Sequence, residues 1–319
     1  MELYYLGLDL GGTYFRAVTC DAKGQNMSEI KKAKLVRTDQ VETEAENNLF
    51  SFIDSVCNEH HRENKTLAGI GISMAALFDR DTGRVENWPN NDKWNGFPIL
   101  RYLTDRYNVP VVIEDDANSA ALGEQLHGSA KGLENFIYVT ISTGIGSGIV
   151  VNNELLTGKH GWAGELGHIR VSDEKIVCIC GAEGCLQALA SGPAIVRRFR
   201  KAMAQKCLDT DIELKDIVRM AESGIKEAVD SFVEAGTYIG NALANLVILL
   251  DVPVVVLGGG VMNAGHLILK PIREAMYASL ASRREAKLIL SSLGDKNGVI
   301  GALSLILRYV KDNNTGSLI

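Results

Sequence analysis

Apolar positions along the chain form short continuous runs that glycine turns interrupt, and these runs alternate with stretches of helical spacing. Residues 3–10 are mostly apolar, residues 11–13 (Gly-Gly-Thr) interrupt them, and residues 15–20 are apolar again. This predicts a β-hairpin bent at the glycines, with Asp9 near the end of its first strand. Further patterning predicts buried strands at 67–74 and 109–113 and helices at 49–60 and 119–126. The alternation of strands and helices indicates an α/β protein.

The order of strand, glycine turn and strand returns in the second half of the chain. An apolar run at 136–143 is followed by a glycine turn at 144–148, and residues 149–151 are apolar again. Lys226–Leu250 has the clearest helical stripe, and an apolar run at 254–257 ends in three glycines. The repetition predicts a duplicated fold of two α/β domains with a cleft between them and a boundary near residue 118.

Composition narrows the classes of function. The chain has 319 residues, of which 46% are hydrophobic and 23% charged, as in globular enzymes of about two domains. Its 33 basic and 39 acidic residues give a formal charge of −6, so we expect no nucleic-acid partner. We expect no secretory leader, because residues 1–3 run straight into a strand-like segment without a basic leader or a small-residue cleavage site. We also expect no membrane partner, because the most apolar stretch, 246–262, is broken by Asp251, Pro253 and glycines. These features predict a cytoplasmic protein.

The glycine turns are candidate phosphate sites, because backbone N–H groups can converge on an anion where no Cβ stands in the way. Asp9 and Thr13 flank the first turn, and Ser142 and Thr143 precede the second. A carboxylate suits the ligand shell of Mg²⁺, and a hydroxyl can donate to a phosphate. Neither turn fits the P-loop or the dinucleotide fingerprint. We expect the glycine turns to form a nucleotide phosphate site. The alternative for any single glycine turn is that it only reverses the chain.

Three of the six cysteines lie within eight residues, at Cys178, Cys180 and Cys185, and His168 lies ten residues upstream. Three thiolates and one imidazole make a closed tetrahedral Zn²⁺ site with no open position for catalysis. Gly181 and Gly184 permit the tight loop that such a site needs. The alternative is a group of buried reduced cysteines without metal.

Several segments together resemble one known family. Residues 8–16 (Leu-Asp-Leu-Gly-Gly-Thr-Tyr-Phe-Arg) look like the first phosphate motif of the actin-like sugar kinases. Gly-Glu-Leu-Gly-His at 164–168, followed by Cys-Ile-Cys-Gly-Ala-Glu-Gly-Cys at 178–185, resembles the signature of one branch, the ROK family of bacterial sugar kinases and related repressors. Segments 113–118, 142–148 and 257–261 extend the resemblance over essentially the whole chain.

The resemblance implies a duplicated actin-like, ribonuclease-H-like fold. The expected N-terminal domain comprises residues 1–118 with a C-terminal helix at about 298–319, and the expected C-terminal domain, 119–297, carries the zinc loop. ATP, Mg²⁺ and a structural Zn²⁺ are the implied cofactors, and a homodimer is the implied assembly. The implied reaction transfers the γ-phosphate of ATP to a hydroxyl of a hexose or hexose derivative.

The resemblance also assigns roles to single residues. Asp116 would be the general base, whereas helix capping is the alternative role of the acids at 114–116. Asp9 would hold Mg²⁺ through water. Glu165 and His168 would contact sugar hydroxyls, and His168 would bind zinc through its other ring nitrogen. The implied nucleotide contacts are Gly11, Gly12, Thr13, Thr143, Gly144 and Gly146 at the phosphates and Gly258, Gly259 and Gly260 near the adenosine.

Two expected sugar contacts depart from the family pattern. The usual Asn before the base is Asp115, and the usual Glu after the last cysteine is Gln187. Hydrogen-bond donors and acceptors are therefore exchanged at constant net charge, which we expect to retune hydroxyl recognition. Asn90, beside a proline and between two tryptophans, is a further candidate sugar contact or a simple turn residue. Glucose is the first candidate substrate, and N-acetylmannosamine, fructose and allose remain open.

Two other classes of function compete with the kinase. A sugar-responsive repressor would carry a DNA-reading domain before the first phosphate motif, whereas that motif begins within ten residues of Met1 here. A sugar-binding protein without kinase activity would tolerate the changes at Asp115 and Gln187. The position of the motif and the negative net charge disfavour the repressor, and the intact Asp9, glycine turn and Asp116 favour the kinase over the inactive binder.

Overall fold

The computed structural model describes residues 2–35, 46–89, 91–204, 212–280 and 285–314. The strands are β1 (Glu2–Leu10), β2 (Tyr14–Asp21), β3 (Lys31–Lys34), β4 (Lys65–Met74), β5 (Leu77–Phe78), β6 (Val85–Asn87), β7 (Val111–Asp115), β8 (Phe136–Ile141), β9 (Ile145–Val151), β10 (Glu154–Leu155), β11 (Val254–Gly258) and β12 (Lys287–Leu290). The helices are α1 (Glu46–Arg62), α2 (Ile99–Tyr107), α3 (Asp116–His127), α4 (Leu186–Ala190), α5 (Gly192–Met203), α6 (Leu214–Glu222), α7 (Lys226–Leu250), α8 (His266–Ser279) and α9 (Asn297–Asn314).

Two compact units make up the chain. One comprises Met1–Gly132, Gly158–Gly161 and Asp295–Ile319, and the other comprises Leu133–Thr157 and Trp162–Gly294. Each contains a five-stranded sheet, ordered β3-β2-β1-β4-β7 in the first and β10-β9-β8-β11-β12 in the second. In both sheets an antiparallel hairpin is followed by two parallel strands. The expected duplicated α/β fold is therefore confirmed.

The first unit is held together by α9, which packs on β1 and β4 and on α3. Glycines allow this close approach: a Cβ at Gly7 would lie 2.6 Å from the backbone nitrogen of Leu303, and one at Gly301 would lie 2.2 Å from the carbonyl oxygen of Ser119. Because α3 packs on α9 in this way, the first unit extends beyond the expected boundary at residue 118 to Gly132.

Local backbone chemistry sets the strand ends that differ from the expected bounds. The strand expected at 109–113 runs over Val111–Asp115, because Pro110 has no N–H to donate to the ladder. The strand expected at 136–143 ends at Ile141, where Ser142 donates its backbone N–H to the carbonyl oxygen of Gly144 and turns the chain. These ends place Asp115 at a helix start and Thr143 on a turn.

The core of the second unit lies between its sheet and a layer of helices that includes α7. This helix is long and apolar enough to cross a membrane by length and composition, the one such helix in the described ranges. One of its faces packs on α8 and α5, and Phe232, Ile239 and Leu243 are fully buried there. A buried core helix satisfies the same test of length and composition, so this is weak evidence for a membrane span.

Candidate active site

Asp9 is a buried carboxylate at the end of β1, where the hairpin places it directly beside Arg16 of β2. The Arg16 Nη1 donates a hydrogen bond of 2.8 Å to Asp9 Oδ2. The first turn of α9 covers the carboxyl group so closely that a Cβ at Gly298 would lie 2.9 Å from its Cγ. Burial raises the pKa of Asp9, and the Arg16 guanidinium opposes that rise. Asp9 is thus a buried acid with a counter-charge from Arg16 beside it, and its oxygens suit Mg²⁺.

The acids at 114–116 lie where β7 gives way to α3, and each has a different environment. Glu114 is buried, and its Oε1 accepts hydrogen bonds from Arg80 and, at 3.0 Å, from the backbone nitrogen of Asp115. Asp115 caps α3, accepting from the backbone nitrogen of Asn118 at 2.9 Å. Burial raises the pKa of Asp115 well above its ordinary value, and the negative charges of Glu114 and Asp116 add to the rise.

Asp116, the expected general base, is the first residue of α3 and is exposed. Its two acidic neighbours are engaged in capping and in the Arg80 ion pair. The expected alternative of capping thus applies to Asp115, and Asp116 is the acid of this segment that a substrate in solvent can reach.

Sequence reasoning missed Ser73, which lies on β4 between two of these acids. In the sheet register Ser73 pairs with Asp9 on one side and with Glu114 on the other. It is completely buried, and its hydroxyl has no hydrogen-bond partner among the described residues. A serine within an apolar strand gives no signal in the sequence, because its neighbours come from other strands.

A cavity of about 550 Å³ in the second unit is lined in part by residues of the expected nucleotide site. Ser142 and Thr143 of the turn after β8 line it, together with Gly260 after β11. The remaining lining residues, which the sequence did not predict, are Gly192, Pro193, Val196, Arg197, Arg200, Glu213, Leu214 and Val261. They come mainly from α5 and the start of α6. The cavity can hold a flat apolar group beside hydroxyls and basic side chains.

The other two glycines of this trio, Gly258 at the end of β11 and Gly259 directly after it, serve close packing within the unit. A Cβ at Gly258 would lie 2.5 Å from the Tyr138 hydroxyl oxygen. Gly259 has φ of 91° and leaves no room for a Cβ, which would lie 2.3 Å from the carbonyl oxygen of Ile141. They hold the loop against β8, and Gly260 is the member of the trio at the cavity.

In the first unit the other expected phosphate turn, residues 11–13, closes the hairpin between β1 and β2. Gly11 donates its backbone N–H to the carbonyl oxygen of Tyr14 at 3.2 Å. Thr13 is exposed, and its carbonyl oxygen accepts from Leu35. In the second unit Gly144 and Gly146 lie on the turn and on β9 after Thr143.

His168, Cys178, Cys180 and Cys185 converge as expected, with all four ligand atoms within 4.8 Å of one another. The Sγ atoms of Cys180 and Cys185 are 3.7 Å apart, and His168 Nδ1 is 3.6 Å from Cys178 Sγ. Zn–S bonds of about 2.3 Å in tetrahedral geometry require S···S distances of about 3.8 Å. Donor set and spacing therefore fit Zn²⁺. Burial raises the pKa of the Cys185 thiol to about 12, and a hydrogen bond from the Ala182 backbone lowers that of Cys180.

The two glycines of the cysteine loop both adopt positive φ, 88° at Gly181 and 74° at Gly184. A Cβ at Gly181 would meet open space, whereas one at Gly184 would lie 2.1 Å from the carbonyl oxygen of Ser172. Positive φ favours glycine at both positions, and at Gly184 the contact with Ser172 also leaves no room for a Cβ.

Two expected sugar contacts lie beside the cysteine cluster. His168 directs Nδ1 to Cys178 and Nε2 to Glu165, whose Oε2 is 3.8 Å away. The Glu165 carboxylate is half exposed and accessible to a ligand. Gln187, at the start of α4, has both ends of its amide engaged: Oε1 accepts from the backbone nitrogen of Ile145, and Nε2 donates to Cys178 Sγ. Asn90 lies outside the described residues.

The sequence matches the ROK family over residues 5–309. The chain belongs to the ROK family. The chain has the expected actin-like fold, because solved ROK kinases superpose on nearly the whole of it. The ROK hexokinase of Thermus thermophilus aligns with a TM-score of 0.85 and 32% identity, covering 97% of this chain and 100% of that one. The ROK glucokinase of Streptomyces griseus, solved with glucose and AMPPNP, aligns with a TM-score of 0.75 and 33% identity. The alignment covers 95% of this chain and 98% of that one.

Both kinases and repressors occur among the ROK relatives. A glucokinase of Halalkalibacterium halodurans is 33% identical over 99% of this chain and 98% of its own length. The xylose repressor of Bacillus subtilis is 28% identical over 97% of this chain, and the match spans 78% of the repressor.

Proposed function

We infer that this ROK protein is an ATP-dependent sugar kinase, and we propose a hexose as acceptor, with glucose as the first candidate. The observation that carries the inference is end-to-end similarity, at 33% identity, to a glucokinase solved with glucose and an ATP analogue. Glucokinases are also among the relatives that match at nearly full length. N-acetylmannosamine, fructose and allose are the rival substrates.

The cavity of the second unit is the proposed nucleotide pocket. Thr143 supplies an exposed hydroxyl at a turn that Gly144 continues, which suits phosphate oxygens. Val196, Leu214 and Val261 give the cavity an apolar wall suited to a base. In the first unit, Gly11, Gly12 and Thr13 offer the second phosphate contact.

Asp116 is the proposed general base. Its carboxylate takes the proton of the attacking sugar hydroxyl as that oxygen bonds to the γ-phosphorus, while the bond from phosphorus to the β–γ bridging oxygen breaks and ADP leaves. Exposure at the first turn of α3 makes this acid accessible to a hydroxyl. A positioned base of this kind contributes about 10²–10⁴-fold to the rate.

Asp9 is the proposed residue for Mg²⁺, which when bound neutralises charge on the transferring phosphates. Arg16 holds the Asp9 carboxylate in place and limits the rise of its pKa. The Arg16 guanidinium thus favours the ionised form of this carboxylate, which is the form that binds a cation.

Glu165, His168 and Asp115 are the proposed sugar contacts, with Gln187 and Asn90 as further candidates. His168 would donate from Nε2 to a hydroxyl, because its Nδ1 faces Cys178. Glu165 would accept from the same or a neighbouring hydroxyl. Polar groups that a bound sugar covers discriminate between sugars, since a missing hydroxyl leaves them unpaired.

His168, Cys178, Cys180 and Cys185 would hold a structural Zn²⁺, which fixes the loop and supplies no chemistry to the transfer. We further propose that the protein is a cytoplasmic homodimer without nucleic-acid or membrane partners. In the proposed division into domains, the C-terminal helix belongs to the N-terminal domain.

The decisive experiment is ADP release with Mg-ATP across a panel of hexoses and amino sugars, for the wild type and for Asp116→Asn. Release with one sugar that the variant loses supports the kinase and identifies its substrate. No release, combined with a rise in Tm on adding one sugar, would instead favour a sugar-binding protein without kinase activity. Zinc content and Tm of the variant must equal those of the wild type.

A further inference from the structure

The side chain of Gln187 spans the distance between the cysteine cluster and the turn at the nucleotide cavity. Its Oε1 accepts a hydrogen bond of 3.3 Å from the backbone nitrogen of Ile145, and its Nε2 is 3.7 Å from Cys178 Sγ. A backbone N–H can only donate, so the amide oxygen must face Ile145. The amide NH₂ is therefore fixed toward the sulfur.

Glycines on both sides leave room for this side chain. A Cβ at Gly144 would lie 2.9 Å from Gln187 Oε1, and a Cβ at Gly167 would lie 3.3 Å from Gln187 Cβ. Gly144 follows Thr143 of the cavity, and Gly167 precedes the expected zinc ligand His168. The Gln187 side chain thus lies against both the turn at Gly144 and the segment before His168. A side chain larger than glycine at position 144 or 167 would crowd it.

An amide suits this position for a reason that a carboxylate does not share. A metal-bound thiolate carries negative charge and is stabilised by N–H donors around it. A glutamate here could still accept from Ile145, but at neutral pH it could not donate to Cys178 and would bring a second negative charge to the sulfur. The glutamine is thus matched to a charged thiolate on one side and to a backbone donor on the other.

We propose that Gln187 is a positioning residue that links the Cys178 thiolate of the zinc cluster to the turn at 143–145, so that zinc retention and ATP binding are coupled. The proposal rests on the proposed zinc site and kinase activity. Coupling between two ligands is reciprocal at equilibrium, so bound nucleotide must tighten zinc binding by the same factor by which bound zinc tightens nucleotide binding.

The test measures the rate at which the full-length protein releases zinc to a chromogenic chelator, with and without a non-hydrolysable ATP analogue. In the wild type the analogue should slow release about 5-fold or more. Gln187→Glu and Gln187→Met should release zinc about 10–100-fold faster than the wild type and show no effect of the analogue. Because Gln187→Glu keeps an acceptor for Ile145, its KM for ATP should rise less than that of Gln187→Met.

Glu183→Gln is the matched control, since it removes one negative charge from an exposed position of the same loop without touching the amide link. It should leave zinc release and its response to the analogue unchanged. Variants that release zinc at the wild-type rate while only their KM for sugar rises would overturn the proposal and make Gln187 a sugar contact. Wild-type protein that phosphorylates sugar but holds no zinc would also overturn it, with the kinase activity intact.

Discussion

Arg16 of β2 forms its ion pair with Asp9 of β1 directly across the hairpin, at 2.8 Å, in the register that pairs the two residues. Asp9 is almost fully buried, whereas the Arg16 side chain is about a quarter exposed. Burial raises the pKa of Asp9, and Arg16 is the group that opposes the rise. The pKa of a proposed metal-binding carboxylate therefore depends on one neighbouring cation.

Arg16→Met should destabilise the protein by about 2–3 kcal/mol at pH 8, somewhat less than the loss for a fully buried pair. The variant lets the folded-state pKa of Asp9 rise further, so the folded state binds the proton more tightly than the unfolded state does. The deficit should therefore be smallest in acid and grow as the pH rises through the folded-state pKa. Urea unfolding across that pH range measures it.

Asp9→Asn in the Arg16→Met background is the control for that prediction. It removes the buried charge, so it should recover most of the lost stability and abolish the pH dependence of the deficit. It should leave phosphoryl transfer impaired, because the amide cannot replace the carboxylate at a cation. A deficit that stays constant with pH would contradict the role assigned to Arg16.

Asp115→Asn should stabilise the protein at neutral pH. Burial and the neighbouring acids raise the pKa of Asp115, so its contribution to stability is full below the unfolded pKa and is lost as the pH rises through the folded pKa. Asparagine caps a helix as well as aspartate does and carries no charge. The Tm should rise by about 2–4 °C for each kcal/mol gained, and the gain should vanish in acid.

The companion variant Asp115→Ala separates charge from capping. It removes the same charge but also the hydrogen bond to the backbone nitrogen of Asn118, so it should lose about 1 kcal/mol relative to Asp115→Asn at every pH. Thermal unfolding at acid and neutral pH checks both. An Asp115→Asn variant less stable than the wild type at neutral pH would contradict the raised pKa.

Features that depend on neighbours in the chain were predictable from the sequence. The hairpin that carries Asp9, the repeated strand and glycine turn, and the convergence of Cys178 and Cys185 with His168 all rest on short-range patterns. The family resemblance, carried by motifs spread over the chain, supplied the fold that the comparisons confirm.

Features that depend on the approach of distant elements were not predictable. Arg197 and Leu214 line the cavity of the second unit because α5 and α6 pack beside the loop after β11, and nothing in their own sequence marks them. Ser73 gains its place between two acids only through sheet register. The partners of Gln187 are likewise set by packing, since Ile145 lies about forty residues upstream of it.

Val196→Trp should weaken nucleotide binding selectively. Val196 lines the cavity of about 550 Å³ from α5, and an indole there would occupy space proposed for the base. We expect the KM for ATP to rise about 10-fold or more, whereas kcat at saturating ATP and the KM for sugar should change little. The reason is that the substitution weakens binding equally in the ground state and in the transition state. Lys201→Trp, an exposed position of the same helix outside the cavity, should leave all three constants unchanged. Equal effects of both variants would indicate helix damage instead.

Gly184→Ala and Gly181→Ala form a matched pair that tests the proposed zinc loop. Both glycines have positive φ, so each alanine introduces about 1–2 kcal/mol of backbone strain. At Gly184 the new methyl group would also collide with the carbonyl oxygen of Ser172, whereas at Gly181 it meets open space. Gly184→Ala should therefore lose most of its zinc and a large part of its Tm, while Gly181→Ala keeps zinc near one ion per chain with a modest fall in Tm. Elemental analysis and thermal unfolding of the two variants measure this, and equal zinc contents would mean that the contact with Ser172 does not hold the loop in shape.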